Sequence, residues 1–385
     1  MNNRRVNKYA LGAFAAFLLL LMAWLHFIYT PIIKNDSGYK YNVPHGASFR
    51  SVIDDLYAKH IITNRLFFNV LIHLRHDGRD LKAGQYLFLK GATPSKILDQ
   101  MATGSGILYH AFTIVPGWSF KQLAVALNVE SSLNHKLATL TDTQLMTQLG
   151  HPELSPEGEF MPETYFFVEG SSDIAVLKRA FKAMQEKLQF AWDNRASDLP
   201  LKNLYEVLIA ASIIEKEAYL AAERPIIAGV LMNRLRSGML LQFDPTVIYG
   251  LGARFDGVIH KEDLVRDTPY NTYIHKGLPP TPIAMPSFDS IKAVTHPDKN
   301  DFIYFVASNK GGAHQFSKTL EEHHAAVEAA EKIFPGFFNT QLIQRYLLNY
   351  QQFPLKAREL LPFIYEPFEV NSSGSLRGEN RDSLL

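Results

Sequence analysis

The sequence contains no cysteine. Disulfides, thiol nucleophiles and zinc–thiolate centres are therefore excluded. It also lacks an excess of either charge, since 39 Lys+Arg against 38 Asp+Glu leave a net charge of +1. A polyanion partner needs a concentrated basic surface, and no aromatic-and-basic stripe is present, so nucleic acid is not an expected partner. There is no G-x-x-x-x-G-K-[ST] loop, no G-x-S-x-G elbow and no H-E-x-x-H step. The 14 histidines are scattered, and the adjacent His323 and His324 would diverge by about 100° on a helix. No metal site and no cofactor is expected. Long apolar runs are absent too, with one exception.

That exception is Tyr9–Tyr29, interrupted only by His26. A helix of that length spans about 30 Å, one bilayer core. Tyr9, Trp24 and Tyr29 lie near its ends, where aromatic rings favour the interface, and Pro31 stops the helix. Arg4, Arg5 and Lys8 precede it and place the N-terminus in the cytoplasm, with the remainder outside. Residues 1–30 thus read as the N-terminus and anchor of a single-pass membrane protein whose remainder lies outside the cytoplasm. The alternative is a cleaved signal peptide, against which stand the length of the run and the lack of an A-x-A-like site.

The rest reads as an α+β chain. Lys34 to Lys40 is a polar tether. Tyr41–Val43 alternates like a strand, Ser48 can cap a helix over 49–59, Leu66–Arg75 is amphipathic, His76–Gly78 turns, and Gly84–Phe88 is a returning strand. Thr93–Met101 is a further helix, with Gly104 after its end. A weak repeat relates Val43-Pro44 with Ser48 to Val115-Pro116 with Ser119, each a strand, a turn and a capped helix. Helical periodicity returns over 177–192 and over 204–236, the latter as two helices broken near Arg224-Pro225. Residues 242–286 are rich in Gly, Pro, Tyr, Asn and Thr and read as loops and turns. Phe302–Val306 suits a buried strand, Thr319–Ile333 a helix, and Gln341–Leu361 one more; the polar end from Val370 is expected to be disordered. The domain division is 1–30, 31–105, 106–338 and a C-terminal extension 339–385.

One segment stands out chemically: Ala211-Ser-Ile-Ile-Glu215-Lys-Glu217. The helix carrying it is apolar on nearly every side and hence buried, and carboxylates ending such a helix are costly unless paired or used. Glu215 and Glu217 lie about 200° apart around the helix, so both cannot face one cleft. Glu215 and Glu217 are therefore not the two carboxylates of an ordinary glycosidase site. Either one Glu works without its neighbour, or Glu215 pairs with an arginine such as Arg224 or Arg234 while Glu217 is the solvated end.

The order of several blocks resembles the MltG (YceG-like) family of endolytic murein transglycosylases. They are Glu157-Gly158 with Pro162-Glu163-Thr164-Tyr165; the segment ending at Glu217; Ala228–Leu235 with Asn233 and Arg234; Leu241–Gly250 with Gln242, Asp244, Pro245 and Tyr249; Tyr270–Tyr273; Gly277–Pro280; and Gly311-Gly312 with His314 and Phe316. The resemblance places the catalytic carboxylate on Glu217. Residues 41–88 further resemble a LysM module, which grips N-acetylglucosamine-containing glycans; a domain that keeps the shape without the sugar site is the alternative. Three departures stand out. Thr281 and Ser287 replace the glycines of a Gly-Pro-Ile-x-x-Pro-Gly stretch, which would bring bulk near the glycan groove. Glu163 stands where Asp is commoner. The last fifty or so residues run past the usual end.

The resemblance implies non-hydrolytic cleavage of the N-acetylmuramic acid β-1,4 N-acetylglucosamine bond of nascent strands, leaving 1,6-anhydro ends and helping to terminate elongation. Its partners would be peptidoglycan strands, the cytoplasmic membrane and peptidoglycan synthases. Gln242, Tyr249, Asn271 and Tyr273, from the polar turn-rich region, are the candidates to orient sugars. Asp244 would hold its loop. A muramidase of the same bond, using Glu163 or Asp244 as a second carboxylate, and a non-enzymatic peptidoglycan-binding scaffold are the rival readings.

Overall fold

The computed structural model describes residues 3–44, 46–75, 81–308, 313–333, 369–370 and 376–377. The turn expected at 76–78, the Gly311-Gly312 pair and the helix expected over 341–361 lie outside the described residues. So does the tail expected to be disordered, apart from the pairing of Glu369–Val370 with Leu376–Arg377. The chain mixes helices and strands and forms two units, residues 1–111 with 166–171, and residues 112–165 with 172–385.

The first unit contains α1 (Asn3–Tyr29), β1 (Tyr39–Val43), α2 (Phe49–Ala58), α3 (Arg65–Arg75), β2 (Gly84–Phe88) and α4 (Pro94–Thr103). Within α1, Tyr9–Tyr29 has a mean hydropathy of 2.2, long and apolar enough to cross a membrane. Leu11, Phe14, Phe17 and Leu20 along it are exposed, whereas Phe27 and Ile28 near its end are buried. β1 and β2 pair antiparallel with Tyr41 opposite Tyr86. Their alternation sends Tyr41, Val43, Tyr86 and Phe88 into a core shared with Leu56, Phe68, Leu71, Ile97 and Leu98. Ser48 caps α2 and Thr93 caps α4, each accepting a backbone N–H three residues on. Gly104 closes α4 in the left-handed conformation that favours glycine. The link after α1 is not a free tether over its whole length. Ile33 is buried, its carbonyl accepts from Gly91 N, and Lys40 already belongs to β1.

β3 (Tyr109–Thr113) pairs with β4 (Thr164–Val168), and the chain changes unit within each strand. The second unit then holds α5 (Phe120–Asn128), α6 (Asp142–Leu149), α7 (Asp173–Asp193), α8 (Leu204–Glu217), α9 (Arg224–Ser237), α10 (Asp244–Leu251), α11 (Lys261–Leu264), α12 (Phe288–Thr295), the antiparallel pair β5 (Tyr304–Ala307) and β6 (His314–Ser317), and α13 (Leu320–Ile333). Ser119 caps α5 in a capping box with Gln122, so both copies of the weak repeat are a strand followed by a Ser-capped helix.

α8 is the centre of this unit. Every residue from Val207 to Ile214 is buried, and α7, α9, α10 and α12 pack around it. Full burial of one such aliphatic side chain is worth about 1.5–3 kcal/mol, which holds this helix rigidly although no face of it is polar. The break expected near Arg224-Pro225 falls earlier, at Ala218–Glu223; Pro225 sits in the first turn of α9, where its missing N–H costs nothing. The turn-rich region holds α10, an eight-residue helix opened by Asp244-Pro245.

Candidate active site

The last turn of α8 separates its two carboxylates. Glu215 turns toward α12. Its carboxylate pairs with Arg224 Nη2 at 3.1 Å and accepts from Ser287 N at 2.9 Å, Ser287 Oγ at 2.5 Å and Ser290 Oγ at 2.6 Å. Ser287 also caps α12. The arginine partner foreseen as Arg224 or Arg234 is thus Arg224. The two residues expected to add bulk to a glycan groove are committed elsewhere: Ser287 holds Glu215, and the Thr281 hydroxyl meets Tyr270 Oη at 2.8 Å.

Glu217 leaves the opposite side, buried to 7% exposure. Its Oε1 lies 3.9 Å from Nε2 of His314, the first residue of β6. The other ring nitrogen, Nδ1, is 2.7 Å from Glu223 Oε2, and the His314 backbone N–H donates to Glu223 Oε1 at 2.8 Å. Glu223 is therefore an acceptor for both N–H groups, which assigns the proton to Nδ1 and turns Nε2 toward Glu217. The three residues form a buried line, carboxylate–imidazole–carboxylate, drawn from the end of α8, the turn before α9 and β6.

The placement of β6 follows from α9. A Cβ on Gly229 would stand 2.4 Å from Asn300 Nδ2 and 2.5 Å from Asp298 O, so only glycine lets the 298–303 segment lie this close. Asn233 Nδ2 then donates to the carbonyls of Asn300 and Phe302, at 2.8 and 3.0 Å. Buried Arg234 donates through Nε to Ile303 O at 2.7 Å and also bonds Leu241 O. This segment leads into β5, which pairs with β6 and sets His314 in register opposite Ala307.

The turn-rich region supplies a second wall. Gln242, exposed, has φ +51° and donates its N–H to Thr272 O at 3.0 Å. Phe243 N donates to Thr272 Oγ1 at 3.0 Å, and Thr272 Oγ1 meets Thr246 Oγ1 at 2.8 Å. Tyr273 Oη donates to Asp244 Oδ1 at 2.5 Å. Burial, the Asp244 charge and the Glu217 charge all push the Tyr273 phenol up, so it stays a neutral donor. Glu217 acts electrostatically on Arg234 as well. Glu217, Tyr273 and Arg234 thus share one environment.

Two of the sequence candidates use their polar atoms internally. Asn271 is 1% exposed; its Nδ2 donates to the carbonyls of Asp263, Leu264 and Arg266, and its Oδ1 accepts from Tyr273 N at 2.9 Å. Tyr249 Oη donates to buried Glu157 Oε2 at 3.1 Å, with its ring edge-on to Tyr270. Glu157 also accepts from Phe120 N at 2.9 Å, and burial raises its pKa to about 7. Glu163 pairs with Lys187 at 3.2 Å. The sequence reading missed Glu223 entirely and named His314 only as part of a motif.

The family model for the YceG-like family matches residues 41–329. An endolytic murein transglycosylase of Bacillus subtilis is 32% identical over 308 residues, 74% of this chain and 83% of that protein. An endolytic murein transglycosylase of Streptococcus pneumoniae is 28% identical over 352 residues, 81% of this chain and 63% of the relative. A YceG-like protein of Listeria monocytogenes, solved by crystallography, shares 28% identity over 76% of this chain and 99% of its own, with a TM-score of 0.47. Matched from β1 into α13, the chain belongs to the YceG-like family.

Proposed function

We propose that this protein is an endolytic murein transglycosylase, as its Bacillus and Streptococcus relatives are named, with Glu217 as the acid/base. The observation that carries the reading is the division of labour on α8. Glu215 has a cation and three hydrogen-bond donors, while Glu217 sits buried opposite a histidine, beside a phenol held protonated.

The chemistry needs one carboxyl group. Glu217 donates its proton to the glycosidic oxygen as the muramic C1–O bond breaks. The resulting carboxylate then takes the proton of the muramic 6-hydroxyl, whose oxygen bonds to C1. The strand gains a 1,6-anhydro end, the leaving sugar gains a hydroxyl, and no water is consumed. His314, fixed by Glu223, positions the Glu217 carboxyl between the two transfers. Tyr273 and Gln242 meet the sugars. Asn271 and Tyr249 act indirectly, the first by shaping the 263–273 loop and the second by bracing Glu157. Asp244 holds Tyr273.

Residues 31–105 retain glycan. The β1–α2–α3–β2 order with its antiparallel pair supports the LysM-like reading. α1 anchors the chain with its N-terminus in the cytoplasm and residues 106–338, the catalytic part, in the periplasm, where synthases supply nascent strands. The test is digestion of purified sacculi by the detergent-solubilised chain, with mass spectrometry of the ends. Anhydro ends are expected. Ends heavier by one water would make the enzyme a muramidase, and absence of cleavage would leave a scaffold.

A further inference from the structure

α3 carries an apolar face that is open to solvent among the described residues. Leu66, Val70 and Leu74 recur four residues apart and are 75%, 47% and 67% exposed. The opposite face, with Phe68, Leu71 and Ile72, lies in the core of the first unit. A flank between these faces meets α1. The Phe67 ring stands edge-on to the Phe27 ring at 5.7 Å, and the Phe67 carbonyl accepts the Trp24 indole N–H at 3.2 Å. At about 100° per residue, Leu74 lies about 20° from Phe67 around the helix, Val70 about 60° and Leu66 about 100°. The exposed stripe therefore starts where contact with α1 ends. Exposed Asn69 and His73 lie beyond it, on the far flank.

The same geometry names the occupant. α1 is the helix fitted to cross a bilayer, and its aromatic end at Trp24 and Tyr29 belongs at the membrane interface. α3 is held against that end, about one helix diameter, or roughly 10 Å, away. The link after α1 is short and built into the core through Ile33, so the first unit cannot swing clear of the surface. Single exposed apolar residues are ordinary; three in line, continuous with a membrane-spanning helix, are not. We infer that α3 is an interfacial helix whose Leu66, Val70 and Leu74 face is seated at the headgroup–acyl boundary of the membrane that α1 spans. The charges that end the helix leave this face free, since Arg65 pairs with Asp54 and Arg75 with Asp99. This seating would fix the orientation of the glycan-retaining unit above the bilayer. It rests on the reading of α1 as an anchor.

The absence of native cysteine makes the test direct. Leu19→Cys, Val70→Cys and Asn69→Cys are each introduced into the full chain, labelled with an environment-sensitive fluorophore and reconstituted as one copy per nanodisc of phosphatidylethanolamine and phosphatidylglycerol. Spin-labelled lipids then serve as quenchers. The expected result is blue-shifted, lipid-quenched emission at positions 19 and 70, with emission at 69 neither shifted nor quenched. If position 19 is quenched while 70 matches 69, the interfacial seating is wrong and the anchor stands. If position 70 is blue-shifted but unquenched by lipid, a protein surface covers the stripe and the proposal is overturned. If position 19 is itself unquenched, the anchor reading fails and the proposal fails with it.

Discussion

Glu215 and Glu217 are two residues apart, and helix geometry alone gives them different fates. Glu217→Gln keeps size and shape while removing the titrating proton. General acid–base assistance is worth about 10²–10⁴-fold, and here one group serves both transfers, so the loss should reach the upper end with Tm little changed. Glu215→Gln should instead strand Arg224 and cost on the order of 3 kcal/mol of stability, while the folded remainder still cuts. A stable, inactive Glu215→Gln beside an active Glu217→Gln would reverse the assignment. His314→Gln tests the line behind Glu217. It should lower kcat roughly tenfold or more, the effect of about 1.4 kcal/mol in the barrier, with KM nearly unchanged and an altered pH–rate profile. A parallel fall in Tm with an unaltered profile would mean a packing role alone. Buried Glu159 offers a stability check away from the site. Its only described partner is Gln185 at 3.0 Å, and burial raises its pKa from 4.5 to about 8. Between those values the folded protein keeps a proton that the unfolded chain gives up, so stability falls as pH rises through the window. The advantage of Glu159→Gln over the parent should therefore grow between about pH 5 and pH 9, reaching on the order of a few kcal/mol. Equal differences in Tm at both ends would contradict it.

Elements were legible in the sequence where their signals are local. Ser48 and Ser119 each cap a helix as expected, because a cap is a contact between a side chain and a backbone three residues away. β2 was found at its observed limits, and α3 within a residue, since each has a clear apolar period. α10 and α12 were not seen. Eight residues are too few to show a period, and both are held by tertiary contacts with α8. The site shows the same split. Glu217 could be placed on a buried helix and chosen through resemblance, but its link to Glu223 through His314 joins residues 91 apart, which no local pattern encodes. Asn271 looked like a sugar ligand because its type and its loop suit that role, yet its amide serves the loop's own carbonyls. Gly229 tests whether one element governs the site at a distance. In Gly229→Ala the new Cβ would press on Asn300 and Asp298, displacing the segment that carries Asn233 and Arg234 contacts into β5. Activity should fall along with Tm, although position 229 touches none of the proposed reacting groups. A folded variant of full activity would show that β6 is positioned independently of α9.

For the whole molecule, the return of residues 166–171 to the first unit could not be read from sequence, because strand pairing across some fifty residues leaves no periodic trace. What composition does carry is an expectation of topology. Among the described residues one helix is long and apolar enough to span a bilayer, and Arg4, Arg5 and Lys8 precede its apolar run. On the proposed reading, the cost of moving charge across the membrane keeps those cations in the cytoplasm. The proposed reading then puts the residues after Tyr29 in the periplasm, where Glu217 would meet assembled glycan. The cysteine-free background lets this be measured without mutating anything else. Ser37 is exposed just past the anchor, so Ser37→Cys in spheroplasts should react with a membrane-impermeant maleimide. Asn3→Cys should react only after lysis, and both proteins should sediment with the membranes at full length. Labelling of position 3 but not 37 in intact spheroplasts would invert the topology and remove the enzyme from its substrate. A shortened, soluble product lacking position 3 would turn the anchor into a cleaved signal, and with it the membrane-held orientation of the first unit would be lost.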